Sequence, residues 1–149
     1  MDSQTNFSAL EIHIAAGLST NGAVVAALHH AFPKVLAIYA FGSRIQGTTR
    51  VDSDLDLAVL VAGYAEPLQL WEQANQLTEL FGCPVDLLDL RAASTVLQYQ
   101  VLTQGRCLWA SEPAAGLFEC FVLGEKIRLD AARAGLIADI EHNGRVYGG

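Results

Sequence analysis

The sequence predicts an α/β fold in which a small mixed sheet is packed by helices and followed by a C-terminal helix. Apolar runs of strand length recur at 34–41, 54–61 and 85–90, segments with apolar residues at helical spacing alternate with them, and Gly or Pro marks most of the junctions. At 149 residues the chain reads as a single domain spanning 1–149. Its core covers about 20–109, and a helical extension covers about 113–143. A domain of that length buries roughly two thirds of its unfolded surface and needs no disulfide.

Residues 1–18 read as a poorly ordered start. Ser19-Thr20-Asn21-Gly22 supplies cap residues for a helix through Val24, Val25 and Leu28 that ends before Pro33. Lys34 to Phe41 follows as a strand, with Val35, Leu36, Ala37 and Ile38 nearly continuous in apolar character, as in a strand covered on both faces. A short helical turn and polar loop from Arg44 to Ser53 leads to a second strand, Asp54 to Val61. Glu66-Pro67 opens the next helix, with Pro suited to its first turn, and Leu68, Trp71, Ala74, Leu77 and Leu80 recur at helical spacing until Gly82 stops it. Val85 to Leu90 forms a third strand. A helix through Val96, Leu97, Val101 and Leu102 closes at Gly105, and a short strand at Arg106-Cys107-Leu108-Trp109 follows. From Pro113 onward Phe118, Phe121, Val122, Glu125, Leu129 and Ala132 mark one side of a long helix. Packing on its own sheet is the plainer use of that side, and a partner surface is the other. Tyr147 falls in a tail read as disordered.

Composition narrows the function. A formal charge of −7 with only two lysines excludes broad electrostatic binding to nucleic acid. The N-terminus lacks the basic and apolar blocks of a signal peptide, and no apolar run approaches the roughly 18 residues of a membrane span. Cys83, Cys107 and Cys120 are widely spaced and odd in number, so they read as small buried residues of a reduced cytoplasmic protein. Mean hydropathy is +0.30, high enough to suggest that a partner or second copy covers part of the surface. His13, His29, His30 and His142 show no metal-ligand spacing and read as solvated or internally satisfied. Trp71 and Trp109 read as core.

The informative feature is Gly42-Ser43, then ten residues, then Asp54-Leu55-Asp56. Gly42 and Ser43 sit where a strand gives way to a short helix, a place where free backbone N–H groups favour anions and where glycine permits close approach. Phosphate oxygens fit there; an ordinary Gly-Ser turn is the plain alternative. Side chains alternate along a strand, so Asp54 and Asp56 point one way while Leu55 and Leu57 point into the core. Two carboxylates held close together are costly unless a cation neutralises them, and Mg2+, which takes few protein ligands and completes its octahedron with water and phosphate, suits them. The plain alternative has one aspartate capping a loop and the other solvated. Nucleotidyl transfer with two metals needs a third carboxylate beside the attacking oxygen. Asp86, inside the otherwise apolar run Val85-Asp86-Leu87-Leu88, is the choice, whereas Asp89 faces the other side and reads as an N-cap before Arg91. Arg44 could offset charge on a leaving pyrophosphate or be an exposed loop arginine. Thr48, Thr49 and Arg50 are weaker candidates of the same kind.

The run Gly42-Ser43-Arg44-Ile45-Gln46-Gly47, with Ser53-Asp54-Leu55-Asp56-Leu57-Ala58-Val59, resembles the minimal nucleotidyltransferases of the DNA polymerase β superfamily. It is most similar to the MNT-domain antitoxins that pair with HEPN-domain toxin ribonucleases, and the resemblance spans roughly 20–109. It implies a polymerase β-like nucleotidyltransferase fold and also points to Asp86 as the third acidic position. It further implies an antitoxin that transfers AMP from Mg-ATP, with two ions, to a tyrosine of a cognate HEPN toxin, in a hetero-oligomer with that toxin. Asp54, Asp56 and Asp86 would then be metal-binding and catalytic, and Gly42, Ser43 and Arg44 would bind the nucleotide. A small-molecule nucleotidyltransferase resembling the aminoglycoside-modifying enzymes is a second reading, for which the chain is short. An antitoxin acting by binding alone is a third.

Overall fold

The computed structural model describes residues 3–47 and 53–147. In chain order the elements are α1 (Ser3–Gly17), α2 (Ala23–Ala31), β1 (Val35–Phe41), α3 (Ser43–Gln46), β2 (Leu55–Val61), α4 (Pro67–Phe81), β3 (Val85–Asp89), α5 (Thr95–Gln104), β4 (Arg106–Ala110) and α6 (Ala114–Tyr147). The strands form one mixed sheet in the order β3-β2-β1-β4. β1 runs antiparallel to both β2 and β4, while β2 and β3, joined through α4, are parallel.

Strand alternation divides the core into two layers. Leu55, Leu57, Val59, Ile38 and Ala40 face α1, α2 and α4, where they meet Ile14, Leu18, Val24, Leu28, Leu77 and Phe81. Ala37, Tyr39, Ala58 and Leu60 face α5 and α6, where Val101, Ala115, Phe118 and Val122 cover them. Coverage on both faces is the reason β1 and β2 carry almost unbroken apolar sequence. Helix ends follow local chemistry. Gly82 terminates α4 in a left-handed conformation and donates to the Thr78 carbonyl at 2.9 Å. Ser94 caps α5 by accepting from Leu97 N–H at 3.2 Å. Among the described residues, no helix is long and apolar enough to cross a membrane.

Several sequence expectations give way. The segment read as a poorly ordered start contains α1, which is held because Ile14 and Leu18 enter the core with Leu10 partly buried beside them. The backbone of α6 continues to Tyr147 rather than ending near 143. Asp89 is buried and does not cap α5. Its carboxylate accepts from Ala65 N–H at 2.9 Å and Arg91 N–H at 3.0 Å, which pins the β2–α4 connection to the end of β3. Trp71 stands 64% exposed with Leu68 beside it on the outer side of α4, so neither is core. Trp109 is half-buried and meets the His29 ring edge-on at 4.1 Å. Cys83 is buried, but Cys107 and Cys120 are exposed.

These placements separate two substitutions of similar chemistry. Leu57→Ala, at a fully buried position, should lower unfolding free energy by about 2–5 kcal/mol. Trp71→Ala should change it by about 0.5 kcal/mol or less. Urea denaturation of both variants checks the contrast, and a large loss at Trp71 would mean that its side of α4 is covered.

Candidate active site

The site is built at the ends of three neighbouring strands. β1 delivers the chain to Gly42, whose φ of 83° lies in the left-handed region open to glycine. The chain then turns at once into α3, with the Gly42 carbonyl accepting from the N–H groups of Ile45 and Gln46, both at 3.1 Å. A side chain at residue 42 would also collide with Asp56 Oδ2. Gly42 is therefore required twice, by its backbone angle and by the carboxylate against it. Ser43 is the first residue of α3 and lies immediately beside this contact.

The carboxylates come together through strand register. Asp56 pairs with Phe41 across the antiparallel β1–β2 ladder and with Asp86 across the parallel β2–β3 ladder. Side chains of directly paired residues lie on the same face, so Asp56 and Asp86 are lateral neighbours. Asp54, two residues before Asp56 and just ahead of β2, belongs to the same face. Asp54 and Asp86 are exposed and Asp56 is half-buried. Burial pushes the Asp56 carboxyl up to about 6, with the charges of Asp86 and Asp54 and a hydrogen bond with Asp86 adding to the shift. Among the described residues the ion pairs involve Glu11, Glu125 and Asp130, and none neutralises the three aspartates.

This donor set fits a hard divalent cation. It offers carboxylate oxygens only, its like charges repel, and it stands open to solvent on the Asp54 and Asp86 side, where water and phosphate would complete an octahedron. Among the described residues no group of three His, Cys, Asp or Glu side chains forms a ready metal cage. A site of a few carboxylates completed by a nucleotide does not require one. The larger of the described pockets, about 330 Å3, lies elsewhere, at the opposite end of the β1–β2 ladder between Phe32, Lys34, Tyr64 and Gln69. The carboxylate set is the better candidate, because it joins a raised Asp56 carboxyl to a glycine turn built against it.

Arg44 does not stand open to a phosphate. Its side chain is 1% exposed. Nε and Nη2 donate to the Ser53 carbonyl at 3.1 and 2.9 Å, and Nη1 pairs with Glu11 of α1. The alternative of an exposed loop arginine is corrected accordingly: the guanidinium is buried and held by two acceptors. Glu11 is the residue at this site that sequence reading missed, and nothing in the sequence pairs it with a residue 33 positions later. Thr48, Thr49 and Arg50 lie outside the described residues. The histidines lie outside the site: His13 Nε2 is 3.0 Å from the Leu80 carbonyl, His29 packs edge-on against Trp109, and His30 and His142 are exposed.

Known proteins share this architecture. A family model described as polymerase beta, nucleotidyltransferase, matches residues 25–114. Protein adenylyltransferase MntA of Shewanella oneidensis is 40% identical over 120 residues, which span 80% of this chain and 86% of MntA. A chain in the crystal structure of a toxin-antitoxin with AMP-PNP superposes with a TM-score of 0.70 at 40% identity, covering 79% of this chain and 95% of the other. A chain in the structure of tri-AMPylated Shewanella oneidensis HEPN toxin in complex with MNT antitoxin superposes with a TM-score of 0.66 at 37% identity, covering 80% and 93%.

Two outcomes follow from the geometry. Because the folded-state Asp56 holds its proton up to about pH 6 against an ordinary value of 3.8, ionising it costs the fold. That cost is absent below the unfolded value and complete above the folded one. Metal-free Asp56→Asn should therefore be more stable than the parent above pH 6, with the advantage shrinking as pH falls toward 4. Paired denaturation curves in chelator across that range test it, and a pH-independent difference would refute the assignment. Gly42→Ala should cost about 1–3 kcal/mol through the left-handed angle and more through the collision with Asp56 Oδ2, and calorimetry should show only the second part relieved when Asp56 is also cut back to Ala.

Proposed function

The chain belongs to the polymerase β nucleotidyltransferase family, and from that premise we propose that it is a protein adenylyltransferase that acts as the antitoxin of a HEPN-domain toxin. It transfers AMP from ATP to a tyrosine hydroxyl of that toxin and so neutralises it. The observation that carries the chemistry is the in-register pair Asp56–Asp86, with Asp54 two residues away and Gly42 closed against it. The acceptor is inferred from the similarity to protein adenylyltransferase MntA and to chains from toxin-antitoxin structures, one with AMP-PNP and one with an AMPylated HEPN toxin. The protein works in the cytoplasm and forms a hetero-oligomer with its toxin.

In this mechanism Asp54, Asp56 and Asp86 would hold the Mg2+ that the reaction calls for, with Asp86 also placed to act on the attacking hydroxyl. When bound, the metal neutralises charge developing on the phosphate oxygens and eases loss of the acceptor proton. Gly42 and Ser43, at the start of α3, receive the triphosphate through backbone N–H groups and the Ser43 hydroxyl. As the tyrosine oxygen bonds to the α-phosphorus, the bond from that phosphorus to the bridging oxygen breaks and pyrophosphate leaves. Asp86 accepts the phenolic proton. The mixture of burial and exposure suits these roles: Asp56 is half-buried against Gly42, while Asp54 and Asp86 are open to solvent.

A protein acceptor accords with the surface better than a small molecule does. Leu117, Phe121, Ile127, Leu136, Ile137 and Ile140 are exposed along α6, and apolar surface of that kind is characteristically covered by a partner. The negative net charge also argues against direct contact with nucleic acid.

Asp54→Asn/Asp56→Asn should reduce AMP transfer by about a hundredfold or more. Intact-mass measurement of the co-purified toxin after incubation with Mg-ATP tests this, since each AMP adds a discrete mass increment. Full modification by the variant would refute the site. A double variant that transfers nothing yet still neutralises the toxin would favour an antitoxin that acts by binding.

A further inference from the structure

We propose that Arg44 is a positioning residue which, with Glu11 as its countercharge, holds the peptide unit leading into Asp54 and so sets the geometry of the metal-binding carboxylates. The proposal rests on reading Asp54 and Asp56 as metal ligands. Arg44 follows the Gly42-Ser43 turn by one residue, and the Ser53 carbonyl it grips belongs to the same peptide unit as the Asp54 N–H. One side chain therefore joins the two halves of the site, the turn and the acidic strand, across nine residues of sequence. Both Nε and Nη2 converge on that carbonyl, at 3.1 and 2.9 Å. A planar guanidinium can provide this two-pronged grip, whereas a lysine ammonium binds as a single point charge.

The burial is what makes the countercharge necessary. A guanidinium that is 1% exposed is expensive unless a carboxylate answers it, and among the described residues Glu11 is the acid paired with Arg44. The charges of Arg44, Glu11 and Asp54 all act on the buried Cys83 thiol, which puts the three in one neighbourhood. Without Glu11, Asp54 would be the nearby carboxylate left to draw the guanidinium, and Asp54 would then be diverted from a cation. Glu11 lies on α1, outside the family-matched residues 25–114, so a helix beyond the matched segment conditions the site.

The test is Mn2+ binding, followed by the electron paramagnetic resonance of the free ion, in the full chain and in Arg44→Lys, Glu11→Gln and Asp54→Asn. Steady-state transfer is measured alongside. Mn2+ affinity should fall about tenfold in Arg44→Lys, as expected when a group that orients metal ligands is lost, and in the same direction but less in Glu11→Gln. At saturating metal, kcat should recover in both and KM for ATP should stay within about twofold. If Arg44→Lys fails to fold, Glu11→Gln, at a half-exposed side chain, decides alone. Unchanged Mn2+ affinity in both variants, with Asp54→Asn losing it, would overturn the positioning role while leaving the site standing. A raised KM for ATP with normal Mn2+ affinity would make Arg44 a phosphate contact instead. Normal Mn2+ binding by Asp54→Asn would overturn the site reading and the proposal with it.

Discussion

Parallel pairing of β2 with β3 decides where the charges of this protein fall. Leu55 aligns with Val85 and Leu57 with Leu87, and the Leu55 N–H bonds the Pro84 carbonyl at 2.8 Å. Leu55 and Leu57 are fully buried, so a slip of one residue would carry both out of the core and replace them with Asp56. The apolar residues thus fix a register that also sets Asp56 directly beside Asp86. Repulsion between neighbouring carboxylates is accepted because losing the leucine packing would cost more. The remaining features of the site adapt to that arrangement. Gly42 leaves room for the Asp56 carboxylate, and the outer two aspartates stay in contact with solvent.

What the sequence made legible was whatever depends on local alternation. Asp54 and Asp56 were readable as one-faced because Leu55 and Leu57 between and after them are apolar, and Asp86 stood out as a charge inside an apolar strand. Gly42 was readable as a close-approach position, although not as the residue packed against Asp56. Periodicity was less informative about coverage. Leu68, Trp71, Leu77 and Leu80 repeat at helical spacing, yet Leu77 is buried and Leu68, Trp71 and Leu80 are exposed, because spacing tells which residues share a side and not what lies opposite. The helix α1 went unseen for a related reason. Leu10, Ile14 and Leu18 lie four residues apart, but Ile12, which is exposed, and the neighbouring alanines blur the stripe.

Long-range pairing was the other limit. Nothing local distinguishes Arg44 from an exposed loop arginine, since its partners are Glu11 and the Ser53 carbonyl, 33 and nine residues away. Asp89 shows the same limit. It follows the pattern of a helix cap, but its second oxygen reaches back to Ala65 N–H, and so it closes a connection that only the folded chain defines. Polar residues whose role is to tie elements together are legible in composition but not in partnership.

The position of α6 relative to the carboxylates bears on how a protein acceptor would be presented. Asp56, Ala58 and Leu60 share the sheet face that α6 covers. On β1, Tyr39 lies two residues before Phe41, the strand partner of Asp56, and its hydroxyl donates to Glu119 of α6 at 3.1 Å. Burial and the nearby Glu119 push the Tyr39 hydroxyl above its ordinary range, in keeping with its role as the donor in this contact. Ala115, Phe118 and Val122 clamp the first turns of the same helix to the sheet. Beyond residue 129 the described part of the helix is exposed on every side. One end of α6 is therefore fixed to the face that carries the site, while the other projects apolar residues away from it. A protein held along the projecting half would meet the carboxylates at a set distance and angle, which turns a bimolecular encounter of hydroxyl and nucleotide into a constrained one.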